Sequence, residues 1–523
     1  MRIYSVFYYY YTLAKHNAMR KAIYKIFNKM LELPIISITI FLPLISVLYI
    51  LLFINQSKKA NKLNIYVAMV AMLSSVLTFI LTIYILIEFD ASNHTYQFVE
   101  RYTWLDKIGL EFHVGIDGIA IFFVVLTSFL TLICIIGSIF TIKKYIKEYL
   151  VCFLLMESFC IGAFTAVNLL LFYLFFEAIL VPMYIIIGVW GGDNRIYAAL
   201  KFFLYTFFGS VFFLLALIYI YSKIHSFDLT YILALTENIP LFAQKILWWT
   251  IFIAFAVKIP MIPFHTWLPD AHVQAPTSGS VILAGILLKL GSYGFLRVLL
   301  PLLPNVSQEF AIYVIYLSVI AIIYSSLVAL AQKDIKQMIA YSSIAHMGYV
   351  TIGIFSFTET GISGAIFQML SHGVVSSSLF LIVGTLYERL HTKEIAKYGG
   401  VASKMPVLAT FFMITMLSSI GLPSTSGFIG EFLSLLGIYK VNVVAACIAA
   451  LGIILGAVYM LKLYKEVMLG EITNTEIKHF KDLYRYEILS IAPLILIIIY
   501  FGLMPNSILN VFHLSVENLL IKF

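Results

Sequence analysis

The sequence predicts an all-α polytopic membrane protein of about 14 transmembrane helices. Three observations carry that expectation. Of 523 residues, 62% are hydrophobic and only 11% charged, where an ordinary soluble domain has about 25% charged residues. Mean hydropathy is +0.99. The apolar residues come in runs of roughly 20, the helical length that crosses a hydrocarbon core about 30 Å thick. The short alternating segments of a membrane barrel are absent, which excludes transmembrane strands.

Taken in order, the runs place helices near 33–54, 65–87, 118–142, 150–166, 169–188, 202–221 and 244–263, then 276–301, 310–331, 335–356, 361–386, 405–438, 442–466 and 486–506. The formal net charge of +8 would suggest nucleic acid in a soluble protein, but the basic residues sit in short loops between spans, so none is expected as a partner and the charge reports topology. Loops after odd-numbered helices carry 19 Lys and Arg, and those after even-numbered helices, with the C-terminal tail, carry 7. The first set is expected in the cytoplasm and both termini outside. Six more basic residues in 1–32 vote the other way. That segment lacks the apolar core and cleavage site of a signal peptide, and reads either as an interfacial stretch or as sequence upstream of a start at Met30.

Cys134, Cys152, Cys160 and Cys447 lie inside apolar runs without a C-x-x-C pair. Neither a zinc site nor an iron–sulfur cluster is supported, and they read as small core residues. No phosphate-binding glycine pattern is present, so no nucleotide site is expected.

An ionisable side chain in the middle of a membrane helix costs roughly 2.5–3.5 kcal/mol on insertion scales, which makes each one a functional candidate. Glu157, Glu177, Lys258, Lys289 and Glu431 meet that description. Any single one could be a structural ion pair, but five of both signs argue for chemistry. Glu157 and Glu177 lie 10 residues either side of Val167, so each sits about 15 Å deep. His346 and His372 are 13 residues either side of Glu359, and Lys258 and Lys289 are 15 and 16 from Val273, again near mid-depth. Each histidine alone is as consistent with a satisfied core residue as with a relay; their paired depth favours the relay, and haem ligation is the weaker third reading.

Prolines and glycines mark the same places. Pro260 and Pro263 break the helix beside Lys258, and Gly421, Pro423, Gly427 and Gly430 break another before Glu431. Broken helices at membrane depth mark binding sites in transporters, so Glu431 is expected to face a hydrated cavity. Gln368, His372 and Ser376 form one polar stripe, Ser342, His346 and Tyr349 a second, and Gly285, Lys289 and Ser292 put a lysine on a small-residue face. Motion of Glu177 toward or away from Lys258 would switch that lysine between holding and releasing a proton.

The stretch KIPMIPFHTWLPDAHVQAPTSGSVILAGILLKLGSYGFLR (Lys258 to Arg297) resembles the signature of the antiporter-like subunit M (mitochondrial chain 4) family of NADH:quinone oxidoreductase, respiratory complex I. FFEAILVPMYIIIGVWG, DIKQMIAYSSIAHMG, MLSHG and GLPSTSGFIGEF resemble it in order and spacing, from about Met30 onward. The resemblance implies two inverted five-helix repeats, each with a broken helix: an N-terminal extension over 1–30, helices 1–3 over 31–145, the repeats over 146–301 and 302–467, and a loop with helix 14 over 468–523. It also implies roles: Glu177 and Lys258 as a glutamate–lysine pair, Lys289 as central lysine, His346 and His372 as connectors, and Glu431 as terminal carboxylate. Glu157 joins the candidates on depth alone. Glu431 stands where the larger sibling subunit has lysine, and Gln274 where the family pattern has glutamate.

The implied function is a proton-translocating, non-redox subunit of this translocase. No cofactor is expected in this chain, with NADH, FMN, iron–sulfur clusters and quinone in partner subunits. Other membrane and peripheral subunits and the lipid bilayer are the expected partners. The expected location is the bacterial inner membrane, with the mitochondrial inner membrane as the alternative. A multisubunit cation/proton antiporter shares the fold and is the alternative function; a relative whose charges only fix helix packing is the third.

Overall fold

A computed structural model of the chain describes residues 33–53, 60–105, 109–236, 239–472 and 474–523. The expectations for residues 1–32 lie outside them.

In chain order the elements are α1 (Ile35–Phe53), α2 (Ala60–Glu88), strands β1 (Gln97–Leu105) and β2 (Leu110–Ile116), α3 (Gly118–Thr141), α4 (Ile146–Thr165), α5 (Leu169–Ala178), α6 (Leu180–Trp190), α7 (Arg195–Ile224), the short α8 (Leu229–Leu235), α9 (Leu241–Lys258) and α10 (Trp267–Gln274). They continue with α11 (Thr277–Leu302), α12 (Pro304–Leu330), α13 (Ile335–Ile354), α14 (Glu359–Leu390), α15 (Pro406–Ile420), α16 (Ser426–Tyr439), α17 (Val443–Met468), α18 (Arg485–Leu503) and α19 (Asn506–Leu520). Helix occupies each of the fourteen expected positions, and among the described residues 12 spans, one of them the α5–α6 pair Leu169–Trp190, are long and apolar enough to cross a membrane. The less apolar α13 and the broken pair α15–α16 fill the remaining two positions.

Burial orders these helices by layer. The most apolar stretch of α14 is 100% buried and that of α11 94%, whereas that of α2 is 33%. The two central helices are therefore enclosed by protein, and the outer ones turn Leu52, Ile65, Phe208, Ile454 and Leu496 outward. Such an apolar perimeter is stable only in lipid. Cys447, expected in the core, belongs to this exposed face, while Cys134, Cys152 and Cys160 are buried.

The hairpin, the C-terminal helix and the short α8 and α10 were not foreseen. The segment after α2 folds as an antiparallel hairpin, β1 on β2. Its Glu100 is buried and accepts the amides of Ile36 at 2.7 Å and Ser37 at 3.1 Å. Those amides open α1 and have no intrahelical acceptor, so the hairpin caps the first span. At the other end of the chain α19 packs Ile508, Phe512 and Val516 inward as an amphipathic strap on α3 and α14. Gly118 makes room for it: a Cβ there would lie 2.5 Å from the Val511 carbonyl.

One small construction occurs twice. His225 and His391 both end a helix in the left-handed region (φ 56° and 52°), each amide bonded to a tyrosine carbonyl one turn back, Tyr221 at 2.8 Å and Tyr387 at 2.7 Å. The chain then pairs with the start of an earlier helix: Leu229 N to Val167 O (3.1 Å) and Leu169 N to Phe227 O (2.8 Å), matched by Ile395 N to Lys333 O and Ile335 N to Lys393 O, both 2.9 Å. Asn168 and Asp334 cap the earlier helices in both cases. An odd number of passes separates the two copies (α5–α6, α7, α9–α10, α11, α12), so they lie at opposite ends of the bundle.

The loop charges turn this into a topology. A reporter fused after residue 523 should be active outside the cytoplasm, and the loop 387–404 should react with a membrane-impermeant label only from the cytoplasmic side. Labelling of that loop from outside would overturn the orientation.

Candidate proton-relay site

The expected ionisable residues come together because their helices approach closely at small residues. On α11, Gly285 faces Gly373 of α14: a Cβ on Gly373 would sit 3.0 Å from the Gly285 carbonyl. That approach brings Lys289 Nζ to 2.7 Å from His372 Nδ1. Around Lys289 the helix is wound as π-turns at Leu283–Leu287 and Phe295–Leu299, a local irregularity that recurs at functional sites. The Ala284 carbonyl, inside the first π-turn, accepts a second bond from the ammonium.

Further along α14, Gln368 meets Gly430 of α16, where a Cβ would lie 2.6 Å from the Gln368 Cα. Gln368 Nε2 donates to Glu431 Oε1 at 3.1 Å, and His346 Nδ1 lies 2.6 Å from the same oxygen. The two imidazoles, His346 and His372, have ring centroids 5.6 Å apart. A row therefore runs from Lys289 through His372 and His346 to Glu431, with all four side chains buried. Glu431, expected to face a hydrated cavity, is buried against His346, Gln368 and the Gly421 turn. The break at Gly421, left-handed at φ 85°, frees the chain to start α16, and α16 then packs its first turns directly on α13 and α14.

The other half of the site is looser. Glu177 sits where the fifth span divides into α5 and α6, ahead of Pro182, and Lys258 is the last residue of α9. The Ala256 carbonyl, deprived of an amide at Pro260, is taken by Met261 N at 2.9 Å. Glu177 and Lys258 are within electrostatic reach of each other but make no ion pair among the described residues. Lys258 Nζ lies over the Phe176 ring at 4.5 Å with no hydrogen bond, and Glu177 Oε1 is also without a partner. Glu157 is fully buried with both carboxylate oxygens unpartnered. Cys160 lies within electrostatic reach of both Glu157 and Lys258.

The sequence reading missed His272. It falls in the stretch read as a loop, but that stretch is α10, which packs on α7 and α13 and buries His272 face to face with Phe380 of α14 (4.5 Å, 14°). Both ring nitrogens lack partners, and the side chain lies within electrostatic reach of Lys289 and Lys336. Lys336, counted among the loop charges, is buried and donates to Ala275 O at 2.8 Å. Lys393, in the loop after α14, donates to Val273 O at 2.5 Å, and burial holds its ammonium below the usual lysine range. These two lysines cap the carbonyl end of α10. Gln274, the departure from the family pattern, accepts Asn194 N at 3.2 Å through its side chain and Gly192 N at 2.9 Å through its backbone, a clasp between loops.

Residues 166–457 match the family model described as "NADH:quinone oxidoreductase/Mrp antiporter, TM". The NADH-quinone oxidoreductase subunit M of Rickettsia prowazekii is 92% identical over 494 residues, covering 94% of this chain and 100% of that protein. The chain belongs to the subunit M family of NADH-quinone oxidoreductase. Members from mitochondria are similar as well: the NADH-ubiquinone oxidoreductase chain 4 of Marchantia polymorpha is 47% identical over 92% of this chain and 96% of its own length. Among solved structures, a chain of respiratory complex I from Thermus thermophilus superposes with a TM-score of 0.84 at 29% identity, over 93% of this chain and 99% of that one. A chain of the Mrp complex from Dietzia gives 0.83 at 18% identity, over 92% and 97%, a likeness of fold alone. The subunit M family places the chain in complex I as an antiporter-like, multi-pass subunit of the inner membrane, in company with other subunits of the oxidoreductase.

Proposed function

We propose that this chain moves protons across the bilayer along the buried groups Glu177, Lys258, Lys289, His372, His346 and Glu431. On this reading it holds no flavin, cluster or quinone, and redox chemistry in other subunits drives it. One observation carries the proposal: two proton-sharing contacts, Lys289 to His372 at 2.7 Å and His346 to Glu431 at 2.6 Å, are joined by imidazoles 5.6 Å apart.

Each group is suited to one step. Lys289 donates to His372 Nδ1, and proton transfer leaves a neutral amine and an imidazolium. His372 Nε2 has no partner of its own and the His346 ring lies 5.6 Å away, so a ring swing or one bridging water completes the hop to His346. His346 passes the proton to the Glu431 carboxylate it already touches. At the other end, Lys258 has only the Phe176 ring to hold its charge, so approach of Glu177 would favour the ammonium and retreat would release the proton. Glu157 would serve as a proton reservoir behind Cys160. The lipid bilayer is the remaining partner, and nucleic acid has no place in this function.

The test is proton translocation by the intact complex in liposomes, fuelled with NADH. His372→Leu should assemble, keep the flavin- and cluster-bearing subunits, and lower this subunit's proton transfer by about 100-fold. Undiminished translocation would remove the relay. A requirement for sodium in wild-type translocation would favour the cation/proton antiporter instead.

A further inference from the structure

We propose a second site, away from the relay: the cavity between α8, the end of α11 and the C-terminal strap binds a phosphate group, in the form carried by an anionic phospholipid. The cavity is about 500 Å³ and is lined by Arg297, Lys522, Asn518 and Thr230, with Leu233 and Leu519 among its apolar walls. Ligand sites generally fall at about 300–1,000 Å³.

Its charge is unbalanced. Arg297 closes the family-like motif but takes no part in the relay. One guanidinium nitrogen pairs with Asp117 at 3.0 Å, the group lies over the Tyr96 ring at 4.9 Å, and its Nε is buried with no acceptor. Asp117 is already engaged as the cap of α3, accepting Ala120 N at 3.0 Å. Lys522 has no anionic partner among the described residues, and the charge acting on it is that of Arg297, of like sign. Burial and that repulsion together hold the Lys522 ammonium below the usual lysine range. The other acid nearby, Asp228, is occupied by His113 at 2.6 Å and by the amides of Thr230 and Tyr231. Two cations thus line one cavity, and the two carboxylates nearby, Asp117 and Asp228, are both already committed. An anion between them would turn repulsion into two charge-assisted contacts, with the Asn518 amide as a further donor.

The position selects the anion. Arg297 lies five residues before the end of α11, and Lys522 follows α19 at the same end of the bundle, so the cavity sits at headgroup depth. A wall that pairs cations with leucines suits a phosphodiester whose acyl chains lie along the apolar perimeter.

The experiment uses the assembled complex, purified in detergent and stripped of lipid, with hydrogen exchange followed at residues 228–236 and 515–523. Added phosphatidylglycerol should slow exchange at both, and diacylglycerol with the same chains, lacking phosphate, should not. Protection by inorganic phosphate as well as by the lipid would assign the site to phosphate in general. Lys522→Glu, a surface change that leaves the Asp117 pair intact, should raise the phosphatidylglycerol concentration needed for protection about tenfold. Arg297→Gln should do the same where it assembles. No protection by either phosphate source, or equal protection in wild type and Lys522→Glu, overturns the proposal.

Discussion

Complex carrying Lys258→Ala or Glu177→Ala should assemble and retain part of its electron transfer, yet lose about 100-fold in the rate of proton transfer through this subunit. Lys258 sits at the end of α9 with its ammonium over an aromatic ring and no hydrogen bond. Packing therefore does not depend on its charge, and removing a buried cation that has no bonded partner relieves desolvation. Protons pumped per NADH, measured at matched assembly, decide the matter. If both variants pump normally, the pair is structural and the row must begin at Lys289. Lys258→Arg offers a further check: a guanidinium cannot give up its proton, so it too should fail although it keeps the charge.

Glu431→Gln should also abolish most pumping, and it should be worse than Glu431→Lys. The amide of glutamine matches the carboxylate in shape and still accepts from Gln368, so the packing of α16 on α14 is preserved while the titratable group is gone. Lysine keeps a titratable group. It would meet His346 and the Gln368 amide N–H, but the Gln368 Oε1, which now has no partner, can be turned toward it by an amide flip. Were Glu431 only an anchor for an imidazolium, charge reversal would be the more damaging change, with loss of assembly. Proton pumping per electron pair at equal subunit content separates these outcomes; a fully active Gln variant would remove Glu431 from the relay.

Apolar run length, loop charge and the rarity of charge inside runs made the spans and most of the relay legible in the sequence. Lys289, His346, His372 and Glu431 were each found as polar groups at mid-depth, since any such group at that depth must have a partner or a use. The breaks beside Lys258 and before Glu431 were legible because Pro and Gly act on the backbone locally. What failed were expectations about what surrounds a residue. His272 was read as loop because α10 is too short and too polar to register as a span, and Lys336 as a loop charge because it stands in the first turn of α13, yet the packing of α10 on α13 buries both. Glu431 was expected beside water because its backbone is broken, but Gly430 lets α14 approach so closely that Gln368, with His346, bonds its carboxylate.

The sequence by itself thus determined which segments enter the bilayer, which polar groups they carry there and at what depth, because transfer from water to hydrocarbon acts on each segment separately. Only the tertiary structure decided which of those groups touch: Lys289 with His372 and His346 with Glu431, but not Glu177 with Lys258 or Glu157 with any partner. Depth is one coordinate. Rotation about each helix axis and the distance between helices are set by close packing at Gly285, Gly373 and Gly430, contacts between residues far apart in the chain.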